Sequence, residues 1–117
     1  MLKNKSLPKS GTSPYLCNTM RIFSKGTLRK FWEEHPDARV SLEFWYDTIE
    51  NAHFQSPNEV INHFKTADTV GDGRIVFNIA GNKYRLIAKF QYEIQFVFVR
   101  FVGTHKDYDK IQDIANI

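Results

Sequence analysis

The side chains best suited to acid–base and phosphate chemistry lie close together in the last third of the sequence. His105, Lys106 and Tyr108 occur within a single short segment, and Arg85 and Arg100 occur in the β-rich segments before it. Metal-free RNA cleavage needs a base for the ribose 2′-OH, positive charge on the phosphoryl oxygens and an acid for the departing 5′-oxygen. Guanidinium groups bind phosphate bidentately and imidazole exchanges protons near neutral pH, so these residue types can supply that chemistry.

The same residues also have ordinary structural explanations. His105 is equally suited to a solvated position in the first turn of a helix, and Tyr108 to packing that helix on a sheet. The other histidines lie on helical segments without metal-ligand spacing: His35, His53 and His63. No P-loop, HExxH motif or nucleophile elbow occurs. The residues alone therefore indicate a small α+β domain with a basic face, of the nucleic-acid-binding class.

Basic residues are concentrated in the β-rich segments. Residues 74–106 contain one acidic residue, Glu93, and six basic residues: Arg74, Lys83, Arg85, Lys89, Arg100 and Lys106. Positive charge spread along a sheet favours a polyanion, because phosphate binding is largely electrostatic. We therefore expect Arg74, Lys83, Lys89 and Arg100 to bind RNA phosphates around the catalytic group.

The composition limits the chain to one domain. With 117 residues and 42% apolar side chains, it can bury a hydrophobic core without disulfides or a structural metal. Cys17 is the single cysteine, which excludes an intramolecular disulfide and a multi-cysteine metal site and fits a reducing, cytoplasmic compartment. No apolar run approaches the roughly 18 residues of a membrane span.

The net charge of +3 comes entirely from the N-terminal residues. Residues 1–19 carry lysines but no acid, are rich in Ser, Pro, Asn and Thr, and are predicted to be a disordered tail. Met20 is a candidate natural start, and residues 20–117 form the predicted single domain. Within that domain residues 33–59 are strongly acidic, with Arg39 as the only lysine or arginine among them. Acidic residues are therefore concentrated in the helical half and basic residues in the strand half.

The first half of the domain has helical periodicity. Residues 20–23 are predicted to form a short strand, Ser24 to cap a helix that Pro36 ends, and Asp37 to cap a second helix. The two apolar seams are Leu28, Phe31, Trp32 and His35 in the first helix, and Leu42, Trp45, Ile49 and Ala52 in the second. Helices joined by so short a connection should form an antiparallel hairpin.

The second half has strand patterns joined by turns. Ser56 begins a capping box for a short helix that buries Val60, Ile61 and Phe64, and residues 71–73 form a turn. Strands are predicted at 74–80, 83–92 and 95–102, with a two-residue hairpin turn at Gly81-Asn82. Thr104 is predicted to cap a final helix whose buried side carries Tyr108, Ile111 and Ile114.

Side-chain alternation assigns the basic residues to a face. Lys83, Arg85, Ile87, Lys89 and Gln91 share one face of their predicted strand, because side chains alternate along a strand. With a two-residue turn at Glu93-Ile94, Gln91 pairs with Phe96, Ile87 pairs with Arg100, and Arg100 joins the face of Arg85. A three-residue turn places Arg100 on the other face, and the sequence leaves both registers open.

A combination of motifs in this half resembles the HigB family of type II toxin–antitoxin toxins, within the RelE-like superfamily. The matching elements are Phe77-Asn78, Gly81-Asn82 with Tyr84-Arg85, Arg100, and Thr104 through Asp109. The resemblance covers roughly residues 20–114 and implies an α+β, RelE-like fold, in which an N-terminal helical hairpin packs on a small, twisted, mainly antiparallel sheet, with a short C-terminal helix. The tail has no counterpart in the family.

The resemblance implies a function as well. Members of the family resemble ribosome-dependent mRNA endonucleases that cut the codon in the ribosomal A site and are neutralised by a helix-turn-helix antitoxin, HigA. By position, Arg85 corresponds to the phosphate-stabilising arginine, and His105, Lys106 and Tyr108 fall where the superfamily has its C-terminal catalytic groups. Neither a metal nor another cofactor is expected, and the cytoplasm is the expected location.

Two other functions compete with this one. A RelE-fold toxin that inhibits DNA gyrase, as ParE does, shares the fold but lacks the catalytic cluster. A non-catalytic RNA- or protein-binding module needs only the basic face. Antitoxin contact on either the basic sheet face or the acidic helices is compatible with the sequence.

Overall fold

A five-stranded sheet forms the frame of the domain in the computed structural model, which describes residues 20–114 and 117. The strands are β1 (Arg21–Phe23), β2 (Asp68–Gly71), β3 (Arg74–Ile79), β4 (Tyr84–Gln91) and β5 (Phe96–Thr104). Their spatial order is β1-β5-β4-β3-β2, with β1 parallel to β5 and the other neighbours antiparallel. The predicted strands are confirmed in position, and the tail at 1–19 lies outside the described residues.

Helices before and after the sheet complete the fold. They are α1 (Lys25–Glu34), a 3-10 turn (Pro36–Ala38), α2 (Arg39–Glu50), α3 (Pro57–His63) and α4 (His105–Asp109). The capping box at α3 is confirmed, since the Glu59 amide donates to Ser56 Oγ over 3.4 Å. No helix among the described residues is both long and apolar enough to cross a membrane. The architecture confirms the predicted α+β, RelE-like fold.

The hydrophobic core lies between the helices and one face of the sheet. Leu28 of α1, Leu42 and Ile49 of α2 and Val60 of α3 are fully buried against Leu86 and Val97 of the sheet. Trp45 packs edge-to-face on Phe77 with ring centroids 5.4 Å apart. The predicted seams are confirmed within both helices, because spacings of three and four residues keep side chains on one helix face. His35 and Ala52 were also predicted for the seams but follow the ends of α1 and α2, and His35 does not belong to the core.

Asp37 does not cap α2, contrary to prediction. The N-cap position is Ala38, because Pro36 starts a 3-10 turn that displaces the aspartate. The Asp37 carboxylate instead forms an ion pair with Lys83 and accepts a 2.7 Å hydrogen bond from the Tyr84 hydroxyl. These two partners, Lys83 foremost, hold the pKa of Asp37 below its ordinary value.

The turn between β3 and β4 has the predicted Gly81-Asn82 centre, with the Lys83 amide donating to the Ala80 carbonyl over 3.3 Å, but the strands end one residue pair earlier than predicted. Gly81 and Asn82 have φ of 64° and 89°, so the predicted left-handed pair is confirmed. Ala80 also has a positive φ of 55°, and the ladder closes at the Ile79–Tyr84 pair. Lys83 consequently belongs to the turn, beside Asp37, and not to the strand face that was predicted for it.

Two further elements differ from the predictions. Strand β2 was not predicted, since its four residues, DTVG, carry no alternation of apolar and polar side chains. Helix α4 ends at Asp109, where the amides of Lys110 and Ile111 bond to carbonyls three residues back. Ile111 and Ile114 therefore lie beyond the helix, although both are half-buried as expected.

Strand β5 contains a bulge at Arg100. Gln91 pairs with Phe96, as predicted for a two-residue turn at Glu93-Ile94. The register then shifts, because Ala88 pairs with Val99 while Ile87 pairs with Phe101. Arg100 is the extra residue of the bulge, so the predicted pairing of Ile87 with Arg100 is wrong.

Tyr92 is expected to limit stability in alkali. Its hydroxyl is buried without a hydrogen-bond partner among the described residues, and burial, followed by the charge of Glu59, raises its pKa to about 12. The folded state therefore resists ionisation of the phenol, and stability falls as pH rises from about 10, the ordinary tyrosine value, towards 12. Chemical unfolding across this range should give a shallower fall for Tyr92→Phe.

At pH 7 the same substitution is expected to stabilise the protein by up to about 1 kcal/mol, because it removes an unsatisfied buried hydroxyl. Tyr46→Phe is the control, since Tyr46 is a half-buried tyrosine on α2. A destabilised Tyr92→Phe variant at pH 7 would mean that the hydroxyl has a partner.

Candidate active site

The second face of the sheet, opposite α1–α3, carries most of the residues predicted to act on RNA. Val76 and Ile87 are buried but do not belong to the core cluster, which shows that alternate positions of β3 and β4 point to this second face. We call it the distal face. Its strand residues are Arg21, Phe23, Arg74, Val76, Asn78, Arg85, Ile87, Lys89, Gln91, Phe96, Phe98, Phe101 and Gly103.

Arg85 occupies the centre of the candidate site. It lies on β4 between Asn78 of β3 and Gly103 of β5, its direct partners in the sheet. Gly103 has no side chain, and the Phe101 ring takes up the space beside it, where an added Cβ would stand 2.7 Å from that ring. The guanidinium is half-buried and lies over the Tyr108 ring, 4.7 Å from the ring centroid.

His105 stands next to this guanidinium. Arg85 Nε donates to His105 Nε2 over 3.3 Å, and the same ring nitrogen lies 2.9 Å from Asn82 Oδ1. One nitrogen cannot accept from Arg85 and donate to Asn82 at once, so the two contacts belong to different protonation states of the ring. With Asn82 as partner Nε2 carries the proton, and with Arg85 as partner it does not.

The other ring nitrogen, Nδ1, has no hydrogen-bond partner within the described part of the chain. In the neutral ring, a proton on Nε2 leaves Nδ1 as a base, whereas a bare Nε2 leaves Nδ1–H as a proton donor. A neutral ring paired with Asn82 can therefore act through Nδ1 as a base, and a neutral ring paired with Arg85 can act through Nδ1–H as an acid.

Helix α4 positions His105 and Tyr108. Thr104 Oγ1 accepts from the Asp107 amide over 3.1 Å, which confirms the predicted cap and fixes the first helical turn. His105 is the first residue of that turn, and Tyr108 lies three residues later, with its ring 6.4 Å from that of Phe101. Residues three apart share a helix face, so the turn directs both side chains at Arg85.

The structure brings together some predicted site residues and separates others. Arg85, His105 and Tyr108 converge, and Lys106 is exposed on the same helical turn. Lys89 and Arg100 lie farther along the distal face, since Lys89 pairs with Phe98 and the Arg100 guanidinium lies 5.5 Å from the Phe98 ring centroid. Arg100 therefore shares the face of Arg85, the alternative that the sequence left open.

Lys83 and Arg74 are engaged elsewhere. Lys83 pairs with Asp37 on the helical side of the β3–β4 turn. Arg74 is only 6% exposed, and its guanidinium bonds to Asp72 and, over 2.8 Å, to the main-chain carbonyl of Ile117. This contact ties Ile117 to the distal face.

The Arg74 contacts are expected to stabilise the fold. Arg74→Met keeps the apolar stem but removes every hydrogen bond of the guanidinium, and it should lower the free energy of unfolding by about 1–3 kcal/mol in urea. Lys65→Met is the matched control, because Lys65 is exposed and should change stability by less than about 0.5 kcal/mol. Equal effects of both variants would contradict a structural role for Arg74.

Asn82 is a site residue that sequence reasoning missed. It was interpreted as half of a left-handed turn, which it is, with φ of 89°, and as part of a family motif, but it was not assigned to the site. The same conformation carries its amide to His105 Nε2. The Gly-Asn pair was the available signal, because asparagine tolerates this conformation while also offering a hydrogen-bonding side chain.

Comparison with known proteins identifies the family of this chain. The sequence model of the HigB toxin family, the RelE-like toxic component of a toxin–antitoxin system, matches residues 38–111, which contain the whole candidate site. The mRNA interferase toxin HigB of Escherichia coli strain K12 is 30% identical over 92 residues, which cover 77% of this chain and 88% of that protein. The mRNA interferase HigB of Shigella flexneri matches equally well.

A further relative is more distant. The mRNA interferase HigB of Escherichia coli O6:H1 is 27% identical over 94 residues, which cover 79% of this chain and 91% of that protein. The family match extends over more than half of the chain and includes strands β2–β5 and helix α4. The chain therefore belongs to the HigB family of RelE-like toxins from toxin–antitoxin systems.

Proposed function

We propose that this toxin is an endoribonuclease that cleaves mRNA in the ribosomal A site and so inhibits translation. The carrying observation is the convergence of Arg85, His105 and Tyr108 from two separate elements, with the Arg85 Nε–H directed at His105 Nε2. A guanidinium and an imidazole in contact can act on one phosphodiester, the guanidinium on its charge and the imidazole on its protons.

The reaction begins with the ribose 2′-OH. His105 Nδ1 takes the hydroxyl proton while Asn82 holds the proton on Nε2. The 2′-oxygen then attacks the adjacent phosphorus, forming a new P–O bond and breaking the bond to the 5′-oxygen, which leaves a 2′,3′-cyclic phosphate. Arg85 stabilises the negative charge that accumulates on the phosphoryl oxygens, because its guanidinium is already held in place by Tyr108.

The departing 5′-oxygen needs a proton. Lys106 and Tyr108 are the candidate donors, since both belong to the short helical turn that begins with His105. Lys106 is exposed and carries a positive charge next to the reacting phosphate, whereas Tyr108 also supports Arg85. Their separate contributions are distinguishable by Lys106→Met and Tyr108→Phe variants, which remove one proton donor each.

The partners follow from the family and from the reaction. Membership of a toxin–antitoxin family implies an antitoxin partner. We assign a HigA-like helix-turn-helix protein to that role, mRNA as the substrate, the ribosome as the setting of the reaction and the cytoplasm as its location. Relatives named mRNA interferases support the choice of substrate.

Primer extension on a defined mRNA, with and without translating ribosomes, tests the proposal. Cuts within codons that occur only with ribosomes are the expected result. Cuts on naked RNA would retain the nuclease but remove the ribosome from the mechanism. Intact mRNA in both reactions, from folded protein, would overturn the nuclease and favour gyrase inhibition or binding alone, which a supercoiling assay would separate.

A further inference from the structure

Three phenylalanines form an aromatic cluster at the β1–β5 edge of the distal face. The rings of Phe23 and Phe98 are stacked, with centroids 5.2 Å apart and planes 18° apart. Phe96 meets Phe23 edge-to-face at 5.1 Å. Phe23 and Phe98 are register partners in the parallel β1–β5 pair, so the sheet itself aligns them. We call these three rings the aromatic platform.

The aromatic platform lies outside the hydrophobic core and is accessible. Phe23 is 36% exposed, and none of the three rings belongs to the core cluster or packs against it. Phe96 and Phe98 are half-buried, so the apolar surface that water reaches belongs mainly to Phe23. The face of the Phe23 ring that is turned away from Phe98 is therefore available to another flat group.

Positive charge surrounds the aromatic platform. Arg21 precedes Phe23 by two residues on the same face, and the Arg100 guanidinium lies 5.5 Å from the Phe98 ring centroid. Lys89 pairs with Phe98. Among residues 20–114 and 117, no carboxylate stands within ion-pair distance of these three cations. The strand positions of the distal face in β1, β4 and β5 contain no Asp or Glu.

The aromatic platform is continuous with the candidate active site. Arg85 and Lys89 are four residues apart on one face of β4, a separation of roughly 13 Å at the usual rise of a strand. Lys89 is opposite Phe98, and Arg85 is opposite Gly103. An extended RNA strand whose scissile phosphate meets Arg85 therefore reaches the platform within a few nucleotides.

We propose that the aromatic platform and its three cations form a second RNA-binding subsite, which stacks a nucleobase on Phe23 and Phe98 and binds the flanking phosphates through Arg21, Lys89 and Arg100. Stacking of bases on aromatic rings beside a cationic groove is how proteins hold single strands without reading sequence. The proposal rests on the proposed nuclease function for its substrate. A protein partner fits less well, because the surface combines unpaired cations with few aliphatic side chains.

The test measures binding of a single-stranded oligoribonucleotide whose ribose 2′-hydroxyls are methylated, so that 2′-OH attack cannot occur. Fluorescence anisotropy at low salt should show that Phe23→Ala weakens binding by about tenfold, within the range found for loss of one stacked base. Phe44→Ala is the matched control, since Phe44 is 67% exposed on α2, away from the distal face. It should leave binding unchanged.

The salt dependence of oligonucleotide binding tests the role of the cations. Arg21→Gln and Arg100→Gln should each reduce the slope of log K against log salt by about 0.7, the value for one phosphate contact on a single strand. Arg29→Gln, an exposed arginine of α1, is the control and should leave the slope unchanged. Circular dichroism establishes that each variant is folded.

Several results would overturn the inference. Equal affinities for Phe23→Ala and Phe44→Ala, unchanged slopes for both arginine variants, or no binding by the unaltered protein at low salt would each do so. Lost antitoxin binding with normal RNA binding would make the platform a protein contact. Failure of the nuclease proposal is distinguishable, because it appears as intact mRNA on ribosomes while oligonucleotide binding still depends on Phe23.

Discussion

Arg85→Ala is expected to lower the rate of mRNA cleavage on ribosomes by about a hundredfold or more, with the protein still folded. The expected size is that of removing a preorganised charge-stabilising group from an active site, about 10²–10³ in rate. The main loss is that of the phosphate-stabilising guanidinium, and the contact between Arg85 and the His105 ring is lost with it. Single-turnover cleavage of an mRNA programmed in the A site measures the loss.

Arg85→Lys separates charge from geometry. A lysine keeps the positive charge but has neither the fork that matches phosphate nor an Nε–H directed at His105, so it should recover only part of the activity. Arg29→Ala is the matched control, since it removes an exposed arginine from α1 on the other side of the sheet. Near-normal cleavage by a folded Arg85→Ala variant would show that the phosphate is stabilised by other residues.

His105→Ala should reduce cleavage by about 10²–10⁴, the usual contribution of a general acid or base. The substitution removes the free Nδ1 and leaves Asn82 and Arg85 without their shared partner. His105 is half-buried and is held by side-chain contacts rather than by the core, so the fold should persist. The measurement is the same single-turnover assay, with growth arrest in cells as a second readout.

Exogenous imidazole distinguishes chemistry from structure at this position. A small base that enters the vacated space should restore part of the activity of His105→Ala, whereas a purely structural defect would not respond. His53→Ala is the control, since His53 is exposed in the loop after α2 and should neither lose activity nor respond to imidazole. Full growth arrest by a folded Arg85→Ala, His105→Ala double variant would defeat the nuclease proposal.

Sequence patterns predicted most of the fold because they reflect interactions between residues that are close together in sequence. The core seams of α1 and α2, the cap at Ser56 and the left-handed pair at Gly81-Asn82 depend on neighbouring residues, and all were predicted. Asp37 shows the limit of this approach. As a residue before an apolar seam it has the composition of a cap, but its partners, Lys83 and Tyr84, lie 46 and 47 residues away in sequence.

The candidate site was predictable in its residue types but not in its contacts. Arg85, His105 and Tyr108 stand out because few side chains can stabilise phosphate or move protons. Asn82 did not stand out, because an asparagine is already expected at this position of a left-handed turn. Only the folded structure shows that its side chain reaches His105. Nothing in the sequence of β5 indicated the bulge at Arg100. The pairing of β4 with the residues of β5 after Val99 could therefore not be predicted.

The bulge has a consequence for how the gene can vary. Loss of the codon for Arg100 would leave Val99 opposite Ala88 and Phe101 opposite Ile87, so the order of the faces in β5 would survive. Loss of the codon for Val102 would exchange the faces of the last residues of β5 and carry His105 away from Arg85. Deletion of Arg100 is therefore expected to preserve the fold while removing one cation beside the aromatic platform, whereas the same change two codons later would separate the residues of the candidate active site.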